Sequence, residues 1–481
     1  MPSHFGPFSH SWTSGKWPPA YRLVFCLCAN SRATADLALR GTQRVDRPAV
    51  GVWALGIDRQ LFPGCSGGPA DALRLLLLDL LSDKREVDAQ GVAALDIAAW
   101  RALLDMVRQH RLGALLHWQF ERRHAGLAVP DVVREEVKEA WRNSTRRMLG
   151  MQYELTTLSK LLGAAGVRSI ALKGAFLAYH AYPESALRPM RDLDILVPED
   201  RLIDAWNALI AAGAQPALGG DDDLRLGHAL QADKHHLPAL LTPSGFSHME
   251  LHRGVQSAAS AMDRDRNTLL LAGVWAHACE HPIGPAPITF PAPTDLLLHL
   301  IMHAAYDHLL NNGPLILSDV AFLVRRHAID WDRFWRTAET LESLRGTVLL
   351  LDLADRYWRD VPIEWSPTAV ALRGELDAVR DSAALLMLQD RDLVPDIWRK
   401  RGTGQPRGAV RRLIARLFIS RVEMALLYPV DPRSPRILLC YPRRWWRLAT
   451  RRVPEAWRAG QRADLREQAA IDTRVTRWLS A

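Results

Sequence analysis

Between Arg188 and Val197 the chain reads Arg-Pro-Met-Arg-Asp-Leu-Asp-Ile-Leu-Val, and no other stretch so limits what it can fold into. Leu193, Ile195, Leu196 and Val197 favour a strand. Strand side chains alternate with period two, so Asp192 and Asp194 must share a face. A strand with two acids on one face and apolar residues on the other requires a sheet, with a counter-charge held over the acidic side. The two Cα atoms would lie about 6–7 Å apart, close enough for both carboxylates to hold one divalent cation. Oxygen-only donors suit Mg²⁺ or Mn²⁺ rather than zinc.

The flanking sequence supplies the rest of a sheet. A helix over 151–165 carries Leu155, Leu158, Leu161 and Leu162 on one face and stops at Gly166. The period then changes: 167–172 reads as a buried strand, Lys173-Gly174 as a turn, 175–182 as a helix closed by Pro183, and 192–197 as the acidic strand. Pro198 and Glu199 open another helix with Leu202, Trp206, Leu209 and Ile210 on its apolar face, ending at Gly213. Beyond an acidic loop at 219–223, two extended segments flank Thr242-Pro-Ser-Gly245, a hairpin turn. The second segment, 246–252, puts His248, Glu250 and His252 on one face, so a third carboxylate can stand beside the first pair.

On either side the periodicity is helical. Leu73, Leu76, Leu77, Leu80 and Leu81, then Trp100, Leu103, Leu104 and Val107, recur at three- and four-residue spacing, with Asp96 and Pro130-Asp131 as helix starts. Helices return from Pro293, over Leu296, Leu297, Leu300 and Ile301, then 315–324, 331–335 and 348–357. The division expected is a disordered leader at 1–69, a helical region at 70–150, an α+β core at 151–260, a helical domain at 261–400 and a basic helical region at 401–481.

Bulk properties exclude little. A net charge of +8 over 481 residues permits nucleic acid, anionic lipid or polyphosphate partners, but the arginines are scattered. Five cysteines without paired spacing argue against a disulfide framework and for a cytoplasmic location. The longest apolar runs fall short of the roughly 20 residues needed to cross a bilayer, so no transmembrane segment is expected.

Leu172-Lys173-Gly174, Arg188, Met190, Asp192-x-Asp194 with Ile-Leu-Val, and the later Glu250-Leu-His252 together resemble a bacterial family of uncharacterised nucleotidyltransferases within the DNA polymerase β-like superfamily. Pro-Thr-Asp-Leu-Leu-Leu-His-Leu-Ile-Met-His at 293–303, Ser318-Asp319 and Asp330-Trp331-Asp332 extend the resemblance over roughly 70–340. It implies an α+β fold with a nucleotidyltransferase-type mixed β-sheet and flanking helices. It implies Asp192, Asp194 and Glu250 as catalytic, metal-holding acids for Mg²⁺ (or Mn²⁺), and transfer of a nucleoside monophosphate from a nucleoside triphosphate with release of pyrophosphate. Lys173-Gly174 stands where the superfamily has Gly-Gly or Gly-Ser before a helix. Lys173, Gly174, Arg188 and Arg191 are accordingly the nucleotide-binding candidates. The acceptor is unspecified: small molecule, peptide, protein or RNA.

Blander readings accompany these. Lys173 could pair with Asp192 as a structural ion pair, and Arg188 and Arg191 could be counter-charges. His277 and His281 lack the order of a zinc-protease motif and read as structural. His299, His303 and His308 read as core or interface histidines, although the resemblance lets His303 face the cleft. In Arg443-Arg-Trp-Trp-Arg447 the tryptophans are expected to pack inward under arginine stems. Two rivals to an enzyme follow: an inactive nucleotidyltransferase fold that binds a nucleotide or partner, and an RNA- or membrane-surface module led by the basic C-terminal region.

Overall fold

The computed structural model describes residues 69–217, 222–231, 234–256, 261–389, 417–428, 430–452 and 463–481. The chain opens with helices α1 (Pro69–Leu81), α2 (Ala89–Ala93), α3 (Ile97–His110) and α4 (Gly113–Arg122). Asp96 caps α3 by accepting from the Ala99 N–H. Helix α5 (Asp131–Ala164) runs 34 residues without a break, where the periodicity had suggested two segments meeting near residue 151. The sequence between them contains no proline, and Gly150 is tolerated inside the helix. Its end is a Schellman motif: Val167 N–H donates to Leu162 C=O at 2.9 Å, Gly166 N–H to Gly163 C=O at 3.0 Å, and Gly166 sits at φ +68.

The first strand, β1 (Ile170–Ala171), is much shorter than the expected 167–172. One turn of helix, α6 (Gly174–Phe176), then widens into a π-type turn over Leu177–Ala181. Strand β2 (Asp192–Leu196) follows, then α7 (Leu202–Ala211), β3 (Gln215–Pro216), α8 (Asp222–Gln231), β4 (Leu240–Leu241) and β5 (His248–His252). The periodicity gave no sign of α8; part of the acidic loop before it lies outside the described residues. The hairpin at 242–245 forms as expected, with Gly245 at φ +73 and its N–H donating to Thr242 C=O at 2.7 Å.

The five strands order as β1-β2-β5-β4-β3, with β2 and β5 parallel and the other pairs antiparallel. This is a mixed sheet in a largely helical α+β fold. Helix α7 packs on β5 and α5. The hairpin rests on α5 at Gly150, where a Cβ would collide with the Phe246 ring, so only glycine lets that ring lie there.

After α9 (Ala261–Ala276), a separate hairpin, β6 (Cys279–Ile283) and β7 (Ala286–Phe290), lies beside β1. Helices α10 (Pro293–Met302), α11 (Leu315–Arg326), α12 (Trp331–Thr340), α13 (Leu344–Tyr357), α14 (Pro367–Arg373) and α15 (Arg380–Leu386) follow. Pro293 occupies the first helical turn of α10, and Asp330 caps α12 through the Arg333 N–H.

Near the C-terminus lie α16 (Arg421–Leu427), α17 (Cys440–Arg447) and α18 (Ala463–Ser480). One buried cluster runs from Leu73 to Val475, and α18 joins it by packing on α13 and α15. Trp445 turns inward, donating from its indole to Leu417 C=O at 2.8 Å, but Trp446 is 72% exposed. The expectation that both tryptophans pack inward is thus corrected: at adjacent helical positions they point about 100° apart, so the face that buries Trp445 turns Trp446 outward. Among the described residues no helix is long and apolar enough to cross a membrane. The leader expected at 1–69 lies, apart from Pro69, outside the described residues.

Candidate active site

Parallel pairing of β2 with β5 sets Asp192 opposite His248, Asp194 opposite Glu250 and Leu196 opposite His252. On the reverse face Leu193, Ile195, Met249 and Leu251 are all buried. A one-residue slip would exchange these for the acids, so apolar burial holds the register that brings the carboxylates together.

Lys173 enters the acidic face from the turn after β1. Its Nζ lies 3.2 Å from Asp194 Oδ2, with both side chains about 15% exposed. The Lys173 backbone has φ 47 and ψ −112, and Ala175 N–H donates to Leu172 C=O at 3.3 Å. That is the first central position of a type II′ turn, where glycine is standard. Holding lysine there costs on the order of 1–3 kcal/mol, strain of the kind that concentrates at functional sites.

Across from Lys173, His252 Nε2 lies 3.1 Å from Asp194 Oδ1 and 3.6 Å from Glu250 Oε2. His236 Nδ1 lies 3.7 Å from the same Glu250 oxygen. The donor atoms of Asp194, Glu250 and His252 all fall within 4.8 Å of one another, the one such group of three among the described residues. Burial opposes ionisation of Asp194, but the Lys173 ammonium and His252 outweigh it and hold the carboxyl well below its usual range. Burial likewise opposes charge on Glu250 and His252. The His252 and His236 contacts nonetheless lower the Glu250 pKa, and Asp194 raises that of His252. The donor set fits one divalent ion: two carboxylates and an imidazole converge from two adjacent strands, each donor atom in reach of the others.

Asp192 stands at the exposed start of β2, outside that group. Crowding by protein atoms, then the Asp194 and Glu250 charges, raise its pKa, so it lies within the same acidic field. Its expected ion-pair partner Lys173 reaches Asp194 instead. Gly174 lies against Met190, where a Cβ would sit 3.1 Å from Cγ, and Arg188 Nη1 lies 3.9 Å from the same point. Arg188 is anchored by Asp319, its Nε donating to Oδ1 at 2.6 Å, and the Tyr182 hydroxyl donates to that same oxygen at 2.7 Å. In the Ser318-Asp319 pair of the sequence, Asp319 therefore fixes the arginine and Ser318 the Tyr182 hydroxyl beside it, and neither is among the residues paired with the acids. Arg191 is exposed beside Asp192.

Two further arginines gather here from α3 and α5, too distant in sequence for any motif to signal them. Arg147 donates to the carbonyls of Met190 and Arg191, both at 2.8 Å. Arg111, left-handed at φ 58, has its pKa pushed down to about 10 by burial and then by Arg191 and Arg188.

The histidines sort differently from their spacing. His252, with its i+2 spacing from Glu250, is the functional candidate the sequence marked without assigning. His299 is fully buried, and burial followed by Lys173 and His252 lowers its pKa well below the ordinary value. His303 meets Asp307 at 3.3 Å and has its pKa lowered by burial and then by Lys173. His277 and His281 part company: His277 Nδ1 lies 3.1 Å from Asp295 Oδ2, whereas His281 packs against Phe176 and His180.

No curated protein and no solved structure matches the chain. A family model described as uncharacterised nucleotidyltransferase does match, over residues 96–359, a span that takes in the whole sheet, the acids, Lys173 and α10 to α13. Matched over more than half its length and holding an Asp–Glu–His group on paired strands, the chain belongs to the uncharacterised nucleotidyltransferase family.

Proposed function

We propose that the protein is a divalent-metal-dependent nucleotidyltransferase of the DNA polymerase β-like superfamily. It moves a nucleoside monophosphate from a nucleoside triphosphate such as ATP to an acceptor hydroxyl or phosphate in the cytoplasm, releasing pyrophosphate. The observation that carries this reading is the in-register pairing of Asp194 with Glu250 beside His252 and Lys173. A divalent ion held there supplies charge neutralisation at the transferring phosphorus and lowers the pKa of the attacking hydroxyl.

The chain's own residues do the positioning. Asp194 and Glu250 would hold the cation, with Asp192 as a further acid at the rim of the same charge field. A carboxylate of this group accepts the acceptor's proton. Lys173 balances the charge of Asp194, and its ammonium would stabilise negative charge developing at the transferring phosphate. Arg188 and Arg191, with Gly174 letting the turn lie close, orient the polyphosphate. An attack in line with the leaving pyrophosphate needs no covalent contribution from the protein, so positioning and electrostatics carry the rate.

One observation favours a second reading. The Lys173 ammonium already neutralises Asp194, as it would in an inactive fold retained to bind a nucleotide or partner. Incubation with α-labelled nucleoside triphosphates, Mg²⁺ or Mn²⁺ and cell extract separates the two. The wild type should label itself or an acceptor, and Asp192→Asn with Asp194→Asn should not. Equal labelling by both would remove the acids from the chemistry, and none by the wild type would leave the binding module.

A further inference from the structure

The donor set on β2 and β5 is not the all-oxygen set that the sequence suggested, because a nitrogen stands inside it. His252 is 1% exposed, and its Nε2 lies within 3.6 Å of both Asp194 Oδ1 and Glu250 Oε2. The other ring nitrogen, Nδ1, lies 3.3 Å from Gly254 C=O. A carbonyl oxygen can only accept, so Nδ1 carries the hydrogen and Nε2 is the atom turned towards the carboxylates. An imidazole whose Nδ1–H is tied to a backbone carbonyl, with Nε2 aimed at acidic donors, has the arrangement of a metal-bound histidine once an ion displaces the Nε2 proton.

The surroundings hold the ring in that pose. His252 is paired with Leu196 along β2–β5, and His236 bridges to it from the other side. The His235 and His236 rings pack within 5.5 Å of it. Lys173 takes the second oxygen of Asp194, leaving Oδ1, the oxygen facing His252, as the one directed into the donor group.

Resting on the metal-dependent reading above, we propose that His252 is a direct ligand of the divalent ion, and that the site therefore selects an imidazole-accepting transition ion, Mn²⁺ among them, over Mg²⁺. Mg²⁺ is a hard cation that keeps oxygen donors and water, whereas imidazole suits first-row transition ions. The alternative is a histidine that merely orients Asp194, with every donor to the ion an oxygen.

The two differ in what a bound ion sees, so the test needs neither nucleotide nor turnover. Purified full-length protein loaded with Mn²⁺ alone is measured by pulsed electron paramagnetic resonance for coupling to a directly bound ¹⁴N. Mn²⁺ and Mg²⁺ affinities are then compared by calorimetry in wild type and His252→Gln. The expected result is a first-sphere nitrogen coupling in the wild type, and in the variant a loss of Mn²⁺ affinity of about tenfold or more with a smaller change for Mg²⁺. Coupling that persists in His252→Gln would assign the nitrogen to a neighbour such as His236 and overturn the proposal, and His236→Gln, expected to keep the coupling, makes the same distinction if His252→Gln fails to fold. Absence of nitrogen coupling in Mn²⁺-loaded protein, or equal losses for both ions, would overturn the assignment. Coupling present in a protein that transfers no nucleotide would keep His252 as a ligand while removing the transferase reading.

Discussion

Lys173 concentrates the residue-scale problem. It stands at a backbone position made for glycine, and its ammonium reaches Asp194 across the site. The two facts separate by substitution. Lys173→Gly relieves the turn and loses the amine, whereas Lys173→Ala loses the amine and keeps the strain. Lys173→Gly should therefore be more stable than Lys173→Ala by about 1 kcal/mol in urea denaturation, with both defective in transfer. Equal stabilities would mean that the turn relaxes freely and that the backbone pose has no cost to explain. The identity of this residue was plain in the sequence, where Lys173-Gly174 read as a turn. Its partner was not, because Asp192 and Asp194 differ only in how far each lies along β2 from the turn.

At the scale of elements, the acid face depends on the β4–β5 hairpin lying correctly on α5. The contact is Phe246 against Gly150, reinforced by Ser244 Oγ donating to the buried Glu154 carboxylate on the same helix. An exposed glycine-to-alanine change in a helix would gain about 1 kcal/mol. Here Gly150→Ala should instead destabilise by about 1–3 kcal/mol, because the new methyl meets an aromatic ring. It should also reduce transfer by displacing the strand that carries Glu250. Adding Phe246→Ala should recover part of the stability in thermal melts. A stabilised single variant, or no recovery in the pair, would show that the hairpin is not seated there. Helix α5 itself was legible as helix, but its continuity across residue 151 was not, since two amphipathic segments in phase read alike whether joined or separate.

Across the whole molecule, buried histidines tie stability to pH. Burial pushes the pKa of both His110 and His180 down to about 4 from an ordinary 6.5. In the folded state they stay neutral until about pH 4, whereas in the unfolded chain they take up protons near 6.5. Between those values the unfolded state binds more protons, so their stabilising effect is complete above about pH 6.5 and is lost as pH falls towards about 4. Urea midpoints should decline between about pH 7 and about pH 4.5, and His110→Gln with His180→Gln should flatten that decline. An unchanged slope would assign the acid sensitivity to carboxylates instead.

The sequence by itself determined the strand that holds Asp192 and Asp194, the hairpin turn before β5, the face that Glu250 shares with His252, and most helices from α1 to α13. These follow from side-chain periodicity and turn chemistry, which act over a few residues. Only the tertiary structure decided that Asp194 rather than Asp192 meets Glu250 and His252, that Arg188 is held by Asp319, and that Arg111 and Arg147 stand near the rim. Those relations are set by strand register and by helices packing across a shared core. Register is a long-range choice made by burying Leu193, Ile195, Met249 and Leu251 together, and no local spacing encodes which acid then faces which base.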